Sequence, residues 1–410
     1  MKALTVQIGI FGRTNVGKSS LMNFILNQNI SIVSELSGTT TDVVSKQMEL
    51  TNFGPITLFD TAGINDRSVL GYARKEKTRK VFNFVDVILL LCEVEKFYEY
   101  EKYIIKNAKK NETPFIIVIS KSDLQKPKHV FLKKIKKYTK NVMLFSVFKT
   151  NRDVFLNSLK KILNKILPDS YTTKYSVLKN ILKQNDPIIL ITPIDLGAPS
   201  KKIIMPQIQI LRDSLDLHAV SYVIQDTEYE FVLRNSIMPP KIVITDSQFV
   251  KQIASKTPKY VKLTTFSIIF SAEKSNIVEM AKGAAILNKL ENGDKILIYE
   301  ACTHHASIDD IGKVKLPILI KSYTKKEIII DHKSGCDYPK NISNYKLIIH
   351  CGGCTLNRKN MLIKLADCME NKVSITNYGI AISVFCDVIE KVLEIFPLAL
   401  KSYIKSLNSE

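Results

Sequence analysis

Arginine is scarce in this sequence: eight arginines stand against 51 lysines, although the net charge is +20 over 410 residues. Recognition of phosphates and base edges draws on arginine forks, and the basic residues here are spread along the whole chain. The charge therefore argues against a nucleic-acid partner. The densest basic stretch holds eight lysines between Lys121 and Lys140 and is read as the solvated face of a helix. Also missing is any apolar run near the roughly 18 residues that span a bilayer. Met1 to Phe11 enters a strand directly, without the charged, apolar and small-residue succession of a signal peptide. No membrane association and a cytoplasmic location are expected. The cysteines number only seven, at uneven spacing, which argues against a disulfide framework and puts metal or catalytic roles first.

What is present is an α/β pattern repeated three times. From Thr5 to about Pro168, apolar runs such as Val85–Cys92 and Pro114–Ser120 lack period-2 alternation, as parallel strands covered on both faces do. Helical stretches separate them, so residues 1–168 predict a doubly wound domain with a parallel-type sheet. Two smaller α/β domains are expected after it, at 175–262 and 264–410. The second pairs the strand PIILITPID with a helix at Met205–Leu217, the strands HAVSYVI and KIVIT, and Asp246 as an N-cap. It carries no chemical motif, so a structural or dimerising role is its natural reading. The third has a helix over Glu273–Leu290, the strands KILIYEA and YKLIIH, and a helix starting near Asn357.

Gly12-Arg13-Thr14-Asn15-Val16-Gly17-Lys18-Ser19 follows the strand VQIGIF and opens a helical stretch, the setting a phosphate-binding loop requires. Gly12 and Gly17 let the backbone wrap phosphates at a helix N-terminus. Lys18 would reach the β- and γ-phosphates and Ser19 would ligate Mg²⁺, with Asn15, Val16 and Ser20 completing the nucleotide-binding set. Asp60-Thr61-Ala62-Gly63 follows the strand ITLF; Asp60 would hold the metal through water and the Gly63 amide would sense the γ-phosphate. Between them Gly38-Thr39-Thr40-Thr41-Asp42 can supply a threonine to Mg²⁺. Thr40 is the choice, with Thr39 and Thr41 as neighbours and a polar surface loop as the alternative. Guanine selection rests on Ser120-Lys121-Ser122-Asp123. The Asp123 carboxylate accepts from N1–H and the exocyclic amine, which adenine lacks, and Lys121 packs over the base. A backbone amide at Ser146-Val147 would meet the guanine carbonyl.

Taken together these motifs resemble GTPases of the Era and TrmE type over about 165 residues. The resemblance implies GTP hydrolysis with Lys18, Thr40 and Gly63 in the catalytic machinery, and Asn15 matches the asparagine that accompanies K⁺ activation. Two departures stand out. Ser120 replaces the usual asparagine, predicting loose nucleotide binding, and Ile64 follows Gly63 where a Ras-like enzyme has glutamine, predicting slow turnover.

A second constellation comprises Cys302-Thr303-His304-His305 and His350-Cys351-Gly352-Gly353-Cys354, each after a strand. Cys351-x2-Cys354 is a spacing for two thiolates on one metal centre, and Cys302 makes a third. Three thiolates do not choose between Zn²⁺ and an iron–sulfur cluster. Cys92, Cys368 and Cys386 lie in apolar contexts and are read as core; Cys336 stays ambiguous.

A GTPase followed by Cys-x-His and His-Cys-x-x-Cys, with 45 residues between His304 and His350, resembles the HydF family of FeFe-hydrogenase maturation. LTTFSIIF, EACTHHASIDDIGKVKLP, IIHCGGCTLNR and ITNYGIAIS carry the same likeness. It implies a GTPase, a dimerisation domain and a C-terminal domain binding a 4Fe-4S cluster. The resemblance also implies that the protein scaffolds a 2Fe precursor, made with radical-SAM maturases and delivered to the apo-hydrogenase, and acts as a homodimer. Cys302, Cys351 and Cys354 match the cluster cysteines, and His304 and His350 the family's histidines. With three thiolates, the fourth iron position would take water, His304, His350 or an acid from Asp309-Asp310. The competing expectation is a ribosome- or tRNA-associated GTPase with a zinc-stabilised tail.

Overall fold

The computed structural model describes residues 5–27, 44–51, 53–61, 81–82, 84–167, 176–194, 203–301, 310–335, 339, 341–353 and 356–409. The chain forms two compact units, Lys2–Tyr175 and Ser176–Glu410.

The first unit is built on a sheet of β1 (Val6–Gly12), β2 (Val44–Leu50), β3 (Gly54–Asp60), β4 (Val87–Glu93), β5 (Phe115–Ser120) and β6 (Val142–Leu144). Their order is β2-β3-β1-β4-β5-β6; β2 runs antiparallel to β3 and the other pairings are parallel. The apolar runs behave as their lack of alternation predicts, since every residue from Val87 to Cys92 is fully buried. Separate apolar clusters cover the two faces, one around Ile8, Leu89 and Leu159, the other around Phe11, Leu90 and Ile104. Each such side chain contributes roughly 1.5–3 kcal/mol by leaving water. Helices α1 (Lys18–Leu26), α2 (Glu99–Lys110), α3 (His129–Lys136) and α4 (Arg152–Ile166) flank the sheet. In α3 the lysines 133, 134 and 136 face solvent while Phe131 and Ile135 are buried.

The second unit holds two four-stranded parallel sheets. β7 (Pro187–Ile191), β8 (Val220–Ile224), β9 (Ile242–Thr245) and β10 (Lys262–Thr265) are ordered β10-β9-β7-β8, and β11 (Lys295–Glu300), β12 (Ile329–Ser334), β13 (Leu347–His350) and β14 (Ser374–Asn377) are ordered β12-β11-β13-β14. The boundary expected at 262–264 thus falls inside a strand of the first of these sheets. The ends expected at 168 and 175 lie outside the described residues. Helices α5 (Met205–Asp216), α6 (Tyr229–Asn235) and α7 (Val250–Lys256) belong to the first part, with Asp246 accepting the Gln248 amide as a cap. One apolar cluster joins Val243 and Leu263 to Ile296, Leu347 and Ile375, so the two sheets share a core.

The single helix expected over Glu273–Leu290 is a correction. α8 (Phe266–Lys274) ends in extended backbone at Ser275, and α9 (Ile277–Ala284) restarts with the Asn276 side chain accepting the Val278 and Glu279 amides. A Cβ on Gly283 would overlap the Ile375 carbonyl, so α9 can lie on β14 only at a glycine. The remaining helices are α10 (Leu316–Thr324), α11 (Arg358–Glu370), α12 (Tyr378–Phe385), α13 (Ile389–Leu393) and α14 (Pro397–Asn408). A single π-helical turn, Ile311–Lys315, leads into α10. Among the described residues no helix is long and apolar enough to cross a membrane.

Candidate functional site

The phosphate loop turns between β1 and α1. Asn15 and Gly17 both have positive φ, 63° and 100°, and at Gly17 a side chain would meet open space, so backbone angle is what calls for glycine there. Gly12 is different: a Cβ would come within 2.9 Å of the Leu91 carbonyl. Val16 is buried beneath the loop and Ser20 faces outward on α1. Lys18 Nζ donates to the Arg13 carbonyl at 3.0 Å, folded back over the loop it would serve. Burial holds the Lys18 ammonium below its ordinary pKa against the opposing charge of Asp60.

Ser19 and Asp60 come together: Ser19 Oγ donates to Asp60 Oδ2 at 2.6 Å. The other oxygen, Oδ1, is buried with no hydrogen-bond partner. Burial raises the Asp60 pKa, and the Ser19 hydrogen bond and Lys18 charge only partly offset it. A buried, under-bonded carboxylate oxygen beside a hydroxyl fits a divalent cation.

Sequence reading missed how the loop is held from behind. Arg13 Nε donates to Glu101 Oε1 at 2.8 Å, its guanidinium stacks on Tyr98 at 4.6 Å, and Glu101 Oε2 accepts the Tyr98 amide at 2.8 Å. Glu101 has no solvent exposure.

At the base loop, Ser120 Oγ donates to the Cys92 carbonyl at 3.2 Å, so the hydroxyl standing where the asparagine was expected is turned onto the neighbouring strand. Lys121, with φ of 57°, is gripped by Glu93 at 2.6 Å. Burial opposes ionisation of Glu93, and its hydrogen bonds from Lys121 and Lys96 outweigh that and lower its pKa. Asp123 is half-buried. The Ser146 amide donates to Thr150 Oγ1 at 2.8 Å, and Val147 next to it is exposed. Thr40 and Gly63, with Thr39, Thr41 and Ile64, lie outside the described residues.

The described part of the cysteine constellation lies where the two central strands of the third sheet end. β11 and β13 are neighbours and parallel, with Tyr299 opposite His350, so both strands end on the same side. The Cys351 amide donates to the Tyr299 carbonyl at 2.9 Å, and the Ala301 amide donates to Cys351 Sγ at 3.2 Å. Ala301 leads directly into Cys302 in the sequence. Amide donors to sulfur are what a metal-bound thiolate uses. His350 is fully buried, its ring 5.1 Å from that of Tyr299, with Nδ1 at 2.6 Å from the Cys351 carbonyl. Burial pushes its pKa down to about 4, so the imidazole is neutral and Nδ1 is the donor.

Two buried acids were not singled out as a pair by the sequence. Glu300 ends β11, and Tyr378 Oη donates toward it at 3.5 Å; Asp310 caps the π-helical turn by accepting the Lys313 amide at 2.8 Å. A Cβ on Gly312 would overlap the Tyr378 hydroxyl and the Glu300 carboxylate. A glutamate closing the buried run ILIY was the available signal. Cys302, His304, Cys354, Cys336 and Asp309 lie outside the described residues. Among the described residues no three His, Cys, Asp or Glu side chains form a metal site. Cys92 and Cys368 are buried and Cys386 half-buried; burial, with Glu101 adding to it, raises Cys92 to about 12.

Two family models match the second unit, the hydrogen maturase F dimerization domain at residues 177–275 and the hydrogen maturase F tetramerization domain at 278–395. Together they span more than half the chain. The chain belongs to the hydrogen maturase F family. A third model, the 50S ribosome-binding GTPase, matches residues 7–121 of this hydrogen maturase F chain and includes the phosphate loop, Asp60 and Lys121. Relatives of that part include a GTPase Der from Borreliella afzelii, 34% identical over 33% of this chain and 33% of its own. A tRNA modification GTPase MnmE from Synechococcus is 36% identical over 29% of this chain and 26% of its own, and the MnmE of Aliarcobacter butzleri 35% identical over 40% and 35%. The chain spans about a quarter to a third of the length of these curated relatives. The N-terminal unit is a P-loop GTPase domain with a mostly parallel sheet, and further α/β structure follows it, as the α/β expectation held.

Proposed function

We propose that this protein is a GTP-hydrolysing iron–sulfur scaffold that carries a 2Fe precursor and delivers it to apo FeFe-hydrogenase. The observation that carries the reading is the paired end of β11 and β13, where the Ala301 amide meets the Cys351 sulfur at 3.2 Å one residue before Cys302. Membership of the hydrogen maturase F family supplies the context. Cys302, Cys351 and Cys354 would hold a 4Fe-4S cluster, and amide hydrogen bonds to sulfur suit that group. When bound, the cluster supplies an iron with a position not taken by thiolate. Water, His304, His350 and an acid from Asp309-Asp310 stand as candidates for that position, and Glu300 joins them as a buried acid at the end of β11.

In the GTPase unit, Lys18 would leave the Arg13 carbonyl for the β- and γ-phosphates. Ser19, Asp60 and Thr40 would hold Mg²⁺, while Asn15 would hold K⁺ and the Gly63 amide would respond to the γ-phosphate. With the Ser120 hydroxyl bonded to the Cys92 carbonyl of β4, Asp123, Lys121 and a backbone amide at Ser146-Val147 would carry most of guanine recognition, with Ser120 beside them. Loose binding and slow hydrolysis follow, which suits a partner-release device better than an engine for metal chemistry. Phosphate release measured in K⁺ and in Na⁺ tests this part: slow turnover stimulated by K⁺ is expected, and no turnover in either cation would overturn it.

Radical-SAM maturases and the apo-hydrogenase are the proposed partners, in the cytoplasm. The edge strand β8 supports a homodimer, since Val220, Tyr222 and Val223 stand 46%, 37% and 41% exposed, and an uncovered apolar edge invites pairing.

A further inference from the structure

Lys274 ends α8 and is only 6% exposed. A buried ammonium is retained where its hydrogen bonds repay the water it loses. Here Nζ donates to the Gly353 carbonyl at 3.0 Å and to the Leu356 carbonyl at 2.6 Å, and lies 4.0 Å from the Phe270 ring centroid. The Leu356 amide also donates to the Gly353 carbonyl at 2.9 Å. One ammonium therefore fastens both ends of a four-residue segment whose middle residues are Cys354 and Thr355. The Gly353 carbonyl belongs to the peptide unit that leads into Cys354, and Cys351 precedes it by two residues.

Other contacts pin the same segment. Gly353 has φ of 60°, and a Cβ there would stand 2.9 Å from Met361 Sδ. Arg358, the first residue of α11, donates to the Glu273 carbonyl, tying the helix after the segment to the end of α8.

We propose that Lys274 is a positioning residue for the Cys351–Cys354 loop and sets a fixed positive charge beside it. The proposal rests on the iron–sulfur reading of that loop. Two thiolates brought together repel each other, and bound iron adds electrons on reduction. A buried cation fastened to the loop offsets both, holding the sulfurs in place and favouring the reduced, more negative state.

The test uses the full chain, reconstituted anaerobically with iron and sulfide, as wild type, Lys274→Arg, Lys274→Gln and Lys274→Met. Iron stripping by a chelator and the midpoint potential, followed by EPR, are read together with circular dichroism. Lys274→Arg should match the wild type. Lys274→Gln still donates hydrogen bonds, so it should retain iron while its potential moves negative. Lys274→Met should move in potential the same way and lose iron about tenfold faster, the size of effect expected of a residue that orients metal ligands. A folded Lys274→Met with wild-type stripping rate and potential would overturn the proposal. If Lys274→Met does not fold, an unchanged potential in Lys274→Gln overturns it instead. A wild type that takes up no iron or sulfide sinks the scaffold reading and the proposal with it, and shows before any variant is compared.

Discussion

Replacing Glu101 by glutamine removes the charge that anchors the phosphate loop from behind while keeping the side chain's shape. Glu101 is fully buried, and its two oxygens accept from Arg13 Nε and the Tyr98 amide, each at 2.8 Å. Glutamine retains one acceptor oxygen, so either the arginine or the Tyr98 amide loses its bond. Breaking a buried pair by removing one partner costs about 3–5 kcal/mol. The Arg13 side chain is 19% exposed and regains some hydration, which brings the expectation to about 2–3 kcal/mol. For a unit of this size each kcal/mol lowers the melting temperature by about 2–4 °C, so a loss of roughly 5–10 °C is expected. The effect also reaches the nucleotide, because the Arg13 carbonyl accepts Lys18 Nζ. Thermal unfolding of the nucleotide-free protein, together with titration of a fluorescent GDP analogue, measures both. A melting temperature within about 1 °C of wild type with unchanged GDP affinity would refute the reasoning.

Asp123→Asn should weaken GDP by about a hundredfold or more and admit xanthosine diphosphate, whose C2 carbonyl suits an amide donor; competition binding with both nucleotides reads it. In EDTA, Asp60→Asn should raise the melting temperature at neutral pH. The Asp60 pKa is raised, so the folded state favours its protonated form. The stability this gives is fully present below the ordinary carboxylate range and lost as pH rises through the folded pKa, so the gain over wild type should vanish in acid. The same variant should lose stabilisation by GDP with Mg²⁺, and a variant less stable than wild type at neutral pH in EDTA would count against the burial argument. Gly353→Ala should lose about 1–2 kcal/mol from its positive φ alone and shed iron faster; unchanged iron retention would mean that the loop's left-handed turn is immaterial.

The parts of this molecule that could be read directly are those whose causes are local. The phosphate loop announces itself because glycines, Lys18 and Ser19 must follow a strand at fixed spacing, and β4 and β5 do because strands covered on both faces need unbroken apolar runs. The break at Asn276 was missed because helical periodicity continues through it; the stop comes from extended backbone at Ser275 and the Asn276 side-chain cap. Arg13 meets Glu101 across 88 residues and Lys274 meets Gly353 across 79. No local pattern encodes such pairs, and their charges read as surface until the fold buries them. Cys351 was legible through its spacing, but the amide that points at its sulfur belongs to Ala301, just past the end of β11.

The central claim is that the residues following the adjacent ends of β11 and β13 bind an iron–sulfur cluster. Iron, sulfide and zinc quantified on anaerobically prepared protein, beside Cys351→Ser, test it most directly. Iron and sulfide at about four per chain, lost in the variant with zinc absent from both, is the predicted result. Zinc without iron or sulfide in the wild type would contradict it and sink the scaffold reading.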